Sequence, residues 1–180
     1  MTIGTMRHQL SMLPPLFVLL AGAVVGCGDD GETSNADEPL TVTAIDYGYV
    51  GLPDEVPAGT EIALVNDSEV EVHEFVAVRL DDDETRSVEE LVQLPPEELG
   101  ALFSGVETVI IAPPGADGFA VEGDGRLDTP GRYAVVCVIP TGADPDEYLA
   151  AAAEAEGGPP DVAGGPPHIA AGMFAELVVS

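Results

Sequence analysis

Two short stretches decide how this chain is interpreted: residues 130–137, PGRYAVVC, and residues 167–173, PHIAAGM. They contain a cysteine, Cys137, a histidine, His168, and a methionine, Met173. A second histidine, His73, lies upstream in a valine-rich stretch. Beyond residue 27 the chain has no other Cys, His or Met, so these four side chains are its whole supply of thiolate, imidazole and thioether ligands.

A thiolate, two imidazoles and a weak thioether form the ligand set of a blue-copper electron-transfer site. The thiolate favours Cu(I), imidazole suits Cu(II), and a long thioether bond holds neither state tightly. Each residue also has a structural interpretation. His73 could hydrogen-bond in the core, His168 could be an exposed loop residue, Met173 could be core packing, and Cys137 could be an inert buried thiol. The coincidence of all four favours copper.

The sequence resembles the cupredoxin family of type 1 blue copper proteins over about residues 40–180. The resemblance rests on Pro130-Gly131-x-Tyr133-x-x-x-Cys137, on Pro167-His168-x-x-x-Gly172-Met173, and on residues 56–66, VPAGTEIALVN, followed by His73-Glu74-Phe75. It implies one type 1 copper, with His73, Cys137 and His168 as the trigonal ligands and Met173 as the axial ligand. It also implies a partly exposed His168 at which electrons leave. In the family, the Cys and the second His lie a few residues apart, whereas here 31 positions separate them, so the insert 138–167 must leave the site and return.

The pattern of residues 40–180 predicts an all-β protein, a Greek-key β-sandwich with short helical insertions. Alternating or β-branched runs predict strands, Ser87 predicts a helix N-cap with Glu90 at the third helical position, and the alanine-rich run after residue 147 predicts a further helix by propensity. Residues 66–69 are predicted to form a hairpin turn. The predicted strands are 40–46, 60–66, 70–80, 108–112, 118–121, 132–138 and 173–179, and the predicted helices are 87–93, 95–103 and 148–156.

The N-terminal residues are typical of a bacterial export signal. Residues 13–25 form an apolar run too short to span a membrane comfortably, and Val24-Val25-Gly26-Cys27 resembles a lipobox. This predicts a lipoprotein signal peptide at 1–26, a lipidated Cys27 with an acidic disordered tether over 27–39, and one domain at 40–180. The alternative is an ordinary signal peptide in which the cysteine is coincidental. Both place the domain outside the cytoplasm, and lipidation adds an anchor to the cell membrane.

Charge restricts the partners. All 33 carboxylates and four of the five basic residues lie after residue 28, which leaves the exported part with a formal charge of −29. Nucleic acid and anionic lipid surfaces would be repelled, whereas a cationic redox partner protein would be attracted. Solubility in a salty environment explains the same charge without a docking patch, and it hints at a halophile. We expect a monomer.

The ligand inventory argues against an enzyme. An oxidase or a nitrite reductase needs further metal centres built mainly from histidine, and both histidines of the domain are already assigned. A Ser-His-Asp triad would also use one of them. The leading hypothesis is therefore a membrane-anchored one-electron carrier. The alternative is a copper-free, cupredoxin-like binding module or a Cu(I) delivery protein, which the long insert supports.

Overall fold

The computed structural model describes residues 38–155 and 157–180, except the side chains of residues 102 and 103. The predicted signal peptide, Cys27 and nearly all of the predicted tether lie outside the described residues, and those assignments stay predictions. The described residues form strands, three α-helices and two short 3₁₀ helices. The strands are β1 (Leu40–Ile45), β2 (Gly48–Val50), β3 (Glu55–Val56), β4 (Thr60–Asn66), β5 (His73–Arg79), β6 (Val106–Ala112), β7 (Phe119–Glu122), β8 (Arg126–Leu127), β9 (Gly131–Val136) and β10 (Phe174–Val179). The helices are α1 (Val88–Leu91), α2 (Pro96–Leu102) and α3 (Pro145–Glu154), and the 3₁₀ helices are Phe103–Gly105 and His168–Ala171.

The strands form two sheets, one with the order β2-β1-β4-β8 and one with the order β3-β10-β9-β5-β6-β7. Both sheets are mixed, because β1 runs parallel to β4 and β3 runs parallel to β10. The chain passes between the sheets several times, and the main core lies between their facing surfaces. The predicted class, an all-β sandwich with short helical insertions, is confirmed.

Strand β5 is buried on both faces. Phe75 and Ala77 point into the core between the sheets, where they join residues of the other sheet such as Leu64. Val76 and Val78 point to the outer face, because successive side chains of a strand alternate. There they pack against α1. The sequence of a strand covered on both faces is continuously apolar, which is why residues 75–78 do not alternate between apolar and polar side chains.

The helical insertions form a partial third layer on the outer face of the six-stranded sheet. Helix α1 begins at a capping box in which Ser87 and Glu90 each accept from the other's backbone N–H. The Asp144 carboxylate caps α3 by accepting from the N–H of Glu147. The predicted N-cap at Ser87 is therefore confirmed, whereas the helix predicted over 148–156 begins three residues earlier, at Pro145, because Asp144 caps it there. No helix among the residues described here is long and apolar enough to cross a membrane.

The structure corrects the predicted hairpin turn at residues 66–69. Strands β4 and β5 belong to different sheets, so the connection between them crosses the sandwich. The Asn66 side chain holds this crossing: its amide nitrogen donates to the carbonyls of Glu71, at 2.8 Å, and Ala112, at 3.0 Å. The strand predicted over 70–80 accordingly begins only at His73.

Candidate metal centre

The four predicted ligands lie at strand ends. His73 is the first residue of β5, Cys137 directly follows β9, His168 begins a 3₁₀ helix, and Met173 directly precedes β10. Cys137 was expected within its strand and Met173 at the start of its own, so each lies one position outside. All four residues have no exposed surface.

Three of the four bring their ligand atoms together. The Nδ1 atoms of His73 and His168 are 3.2 Å apart, and the Cys137 Sγ is 3.3 Å from the His168 Nδ1. One ligand atom from each residue lies within 4.8 Å of the others. Bonds from a first-row ion such as zinc are about 2.0 Å long to imidazole and about 2.3 Å to thiolate, so donors at these separations can share one ion. His73, Cys137 and His168 thus form a site that fits a single copper ion.

The backbone around Met173 is joined directly to this cluster. The N–H of Cys137 donates to the carbonyl of Met173 at 3.2 Å, and the N–H of Met173 donates to the carbonyl of His168 at 3.1 Å. The Met173 side chain is buried in the same core cluster as Cys137. Its position beside the cluster is compatible with an axial thioether, and that ligand role stays a prediction.

The 31-residue separation between Cys137 and His168 is closed by a narrow neck. The N–H of Thr141 donates to Pro166 at 3.0 Å, and the N–H of Gly165 donates back to Thr141 at 2.8 Å. Two residues closer to the site along each segment, the N–H of His168 donates to the carbonyl of Ile139 at 2.9 Å. The insert therefore leaves and returns at one point, and His168 lies beside Cys137 as if the connecting loop were short.

The body of the insert packs on the domain. Ala143, Tyr148 and Val162 are buried against the core. The Tyr148 hydroxyl on α3 donates to the Glu74 carboxylate at 3.2 Å. Glu71 accepts the N–H of Gly142 at 3.1 Å, just past the neck. These contacts attach the insert to the segment that carries His73.

Glu74 is a site residue that the sequence analysis missed. Its side chain is 3 % exposed, and its carboxylate also accepts the backbone N–H of Val138 at 2.8 Å, one residue after Cys137. Burial raises the pKa of Glu74 to about 7, against the opposing effect of these hydrogen bonds. The only signal in the sequence is a carboxylate placed between His73 and the apolar run of β5.

The far sides of both imidazoles face carboxylates. The Nε2 of His73 is 3.8 Å from Asp46, and the Nε2 of His168 is 3.5 Å from Glu71. Neither Nε2 has a hydrogen-bond partner among the described residues. An ion bound by both Nδ1 atoms requires their lone pairs, which places the ring protons on Nε2, toward the carboxylates. Without a hydrogen bond to either Nε2, Asp46 and Glu71 favour this tautomer through their negative charge alone.

The site favours uncharged imidazoles. Burial, followed by the neighbouring His168, lowers the pKa of His73 to about 4, and burial also lowers the pKa of His168. Both rings are therefore neutral near pH 7, as metal binding requires. Burial and the nearby Glu74 raise the pKa of the Cys137 thiol, so in the metal-free protein the sulfur is protonated. A bound cation would remove that proton.

The expectation of a partly exposed His168 is wrong. Its ring is fully buried, and Tyr47 packs edge-on against it with ring centroids 5.2 Å apart. Tyr47 lies in the tight turn between β1 and β2, next to Asp46, and has a φ of 64°. A bulky residue in this left-handed region costs on the order of 1 kcal/mol or more. The turn therefore maintains a strained tyrosine as a cover over the site.

Replacing Tyr47 with glycine should open this cover. Glycine adopts a positive φ without strain, so the turn is retained while the aromatic ring over His168 is lost. In the metal-free protein we expect the Cys137 thiol to react with a neutral thiol reagent about tenfold faster. This factor corresponds to a decrease of about 1.4 kcal/mol in the free energy of the local opening that exposes the thiol. Tyr47→Phe is the matched control and should react at the wild-type rate. An unchanged rate in the glycine variant would show that Tyr47 does not control access.

Comparisons with known proteins give similarity to auracyanins. A dithionite-reduced auracyanin from the photosynthetic bacterium Roseiflexus castenholzii is 19 % identical, with a TM-score of 0.41 over 78 % of this chain and 94 % of that one. Auracyanin B is 18 % identical, with a TM-score of 0.40 over 79 % of this chain and 88 % of that one. Auracyanin A, a "blue" copper protein from the green thermophilic photosynthetic bacterium Chloroflexus aurantiacus, is 16 % identical, with a TM-score of 0.39 over 79 % of this chain and 100 % of that one. No protein-family model and no curated protein matches the chain.

Proposed function

We propose that this protein is a type 1 copper protein of the cupredoxin kind that carries one electron at a time outside the cytoplasm. The observation that carries the proposal is the buried cluster of His73, Cys137 and His168, whose donor atoms can share one ion. Thiolate with two imidazoles and a weak axial thioether is the donor set of blue-copper centres, and Met173, buried in the same core cluster as Cys137, would supply the thioether.

Copper, when bound, would supply a one-electron couple. The protein would keep the ligand positions rigid and exclude water from them. Cys137 and His168 are fixed to each other by the N–H of Ile169 donating to the Cys137 carbonyl at 2.8 Å and by the neck of the insert. His73 is held by the β5–β6 pairing, in which it lies opposite Ala112. A ligand set that cannot rearrange keeps similar geometry in both oxidation states, which favours rapid transfer.

The proposal includes no enzymatic activity. Catalytic metal sites keep a coordination position open to water or substrate, whereas all four predicted ligands here are fully buried. Tyr47 and the neck of the insert enclose His168 in addition. Such an enclosure suits electron transfer, because the electron donor or acceptor must come close to the site but does not have to touch the metal.

The sequence supports a location and a class of partner for this carrier. Lipidation of Cys27 would anchor the domain to the cell membrane through the acidic tether, outside the cytoplasm, on the periplasmic face or at the cell surface. The formal charge of −28 for the whole chain supports a redox partner protein with a cationic docking surface, whose association should weaken as salt is added. We propose a monomeric carrier.

A second candidate is a binding module that holds no copper, or holds Cu(I) for delivery. The observation that favours it is the insert, which is attached to the domain at its neck and through Tyr148 and thereby presents a folded additional surface. In that case partner binding would persist when Cys137 cannot bind metal.

Titration with Cu(II) tests the electron-carrier proposal. The chain with Cys27→Ser leaves Cys137 as its single thiol, so any intense thiolate-to-copper band in the visible spectrum comes from this site. We expect the band to saturate at one equivalent, to bleach with a reductant and to return with an oxidant. Absence of the band, together with a Cys137 that still reacts with a thiol reagent in the presence of copper, would rule the proposal out.

A further inference from the structure

A cleft lies between the outer face of the six-stranded sheet and the insert. Its volume is about 200 Å³. Val76, Val109 and Ile111 form the floor, and Tyr148 and Ala152 of α3 form one wall. None of these residues is a predicted copper ligand, and the cleft opens on the opposite face of the sheet from the side chain of Cys137.

The spacing of residues along α3 explains why this space exists. Tyr148, Ala152 and Ala155 are four and three positions apart, so they share the face of the helix that looks toward the sheet. Tyr148 spans the gap and reaches Glu74, whereas the alanine side chains end at Cβ. Gly157 and Gly158 continue the wall without side chains. These small residues leave an open cleft where larger side chains would have packed α3 directly on the sheet.

The cleft is about large enough for a single aromatic ring. An apolar cavity of about 150 Å³ stays dry and takes up benzene, and this cleft has a volume of about 200 Å³. Its lining is mostly valine, isoleucine, alanine and proline, which favours an apolar occupant.

Polar groups at two points restrict the chemistry of the occupant. The Glu74 carboxyl lies in the lining together with Tyr148, and Glu122 lies in the lining on β7. Glu74 accepts from Val138 and Tyr148, which leaves lone pairs on both oxygens for a further donor. Carboxylates would repel an anionic ligand, and an apolar lining would desolvate a cationic one at high cost.

We propose that this cleft is a binding site for a small neutral apolar molecule of about one aromatic ring that carries one O–H or N–H group, which donates to Glu74. The site is separate from the copper ligands and does not depend on the proposed redox function. Phenol is the simplest probe of this chemistry. Toluene, which has nearly the same size and no donor, is its matched comparator.

The test is a titration of the copper-free chain carrying Cys27→Ser, followed through the methyl NMR signals of Val76, Val109 and Ile111. Phenol should shift these signals saturably and bind about tenfold more tightly than toluene, which corresponds to one hydrogen bond of about 1.4 kcal/mol. Equal binding of phenol and toluene would overturn the role of Glu74. Shifts that rise linearly without saturation would overturn the site.

Filling the cleft provides the second arm. Ala152→Leu projects a larger side chain into it and should abolish the saturable shifts, whereas Ala153→Leu, at an exposed position of the same helix, should leave phenol binding unchanged. Ala155→Leu gives the same test from the end of the helix if Ala152→Leu fails to fold. Unchanged phenol binding in the filled variants would refute the proposal. Copper titration of the same variants reports independently on the redox site, so failure of one proposal is distinguishable from failure of the other.

Discussion

Replacing Cys137 with serine should abolish the intense visible band of the copper-loaded protein and leave the fold intact. Serine keeps the size of the side chain but supplies a hard oxygen in place of the thiolate, which is the donor that gives a blue-copper site its character. His73 and His168 remain, so weak copper binding can persist without the band. The visible spectrum and the copper affinity of the two proteins measure the effect.

The variant also buries a hydroxyl, so a control must separate loss of the ligand from loss of stability. Burial of a hydroxyl without a partner costs about 1–3 kcal/mol. Ala77→Ser introduces the same group at another fully buried position, on the inner face of β5 and four residues from His73. It should lower the unfolding free energy comparably and keep the band. A Cys137→Ser protein with an undiminished band would exclude Cys137 as a ligand. Partner binding that survives in this variant would favour the copper-free binding module.

The regular elements were predictable because their signals are local. Strand β4 was predicted over residues 60–66 and has those bounds, because the turn residues Pro57, Ala58 and Gly59 mark where an apolar, partly β-branched run begins. The cap of α1 was predictable for the same reason, because the Ser87 side chain bonds to a backbone N–H only three residues away. Such patterns need no knowledge of the rest of the chain.

The residues of the candidate site were predictable from the sequence, but the burial of the site by surrounding segments was not. Scarcity of Cys, His and Met identified the four positions, and the structure brings three of their donor atoms together. The neck between residues 139–141 and 165–168 is formed by backbone hydrogen bonds between distant, aperiodic segments, which leave no pattern in the sequence. The burial of His168 under Tyr47 depends in addition on the relative placement of two strands and the insert.

The carboxylates around the imidazoles were not predictable in a chain with 33 acidic residues. Asp46, Glu71 and Glu74 have no local feature that separates them from the solvated majority. Only tertiary structure shows that Glu74 is buried and that Asp46 and Glu71 face the two histidines. The acidic composition was attributed to solubility, and three of these acidic side chains nevertheless lie at the site.

The second large effect is expected from Glu74→Leu, which should detach the insert and loosen the residue after Cys137. Leucine has a similar volume but cannot accept hydrogen bonds, so the N–H of Val138 and the hydroxyl of Tyr148 lose their acceptor. Each unsatisfied buried donor costs about 1–3 kcal/mol, so the loss of both acceptors should lower the unfolding free energy of the copper-free protein by about 2–6 kcal/mol. Urea unfolding measures this loss.

Glu74→Gln separates the hydrogen bonds from the charge. The amide oxygen can still accept from Val138, and the amide nitrogen can donate to the Tyr148 oxygen, so most of the stability should be retained. Tyr148→Phe removes only one of the two donors and should cost about 1 kcal/mol. In the double variant Glu74→Leu with Tyr148→Phe, the hydroxyl is no longer left unsatisfied, so the combined loss should be smaller than the sum of the single losses.

Proteolysis distinguishes a detached insert from a generally weakened domain. Both Glu74→Leu and Tyr148→Phe should speed cleavage within residues 142–164, because each removes the bond between α3 and β5. Tyr49→Phe removes a hydroxyl that donates to the backbone carbonyl of the same Glu74 at 2.6 Å, on the side that does not involve the insert. It should lower stability without selective cleavage there. If all three variants are cleaved alike, Glu74 contributes to the core but does not hold the insert in place.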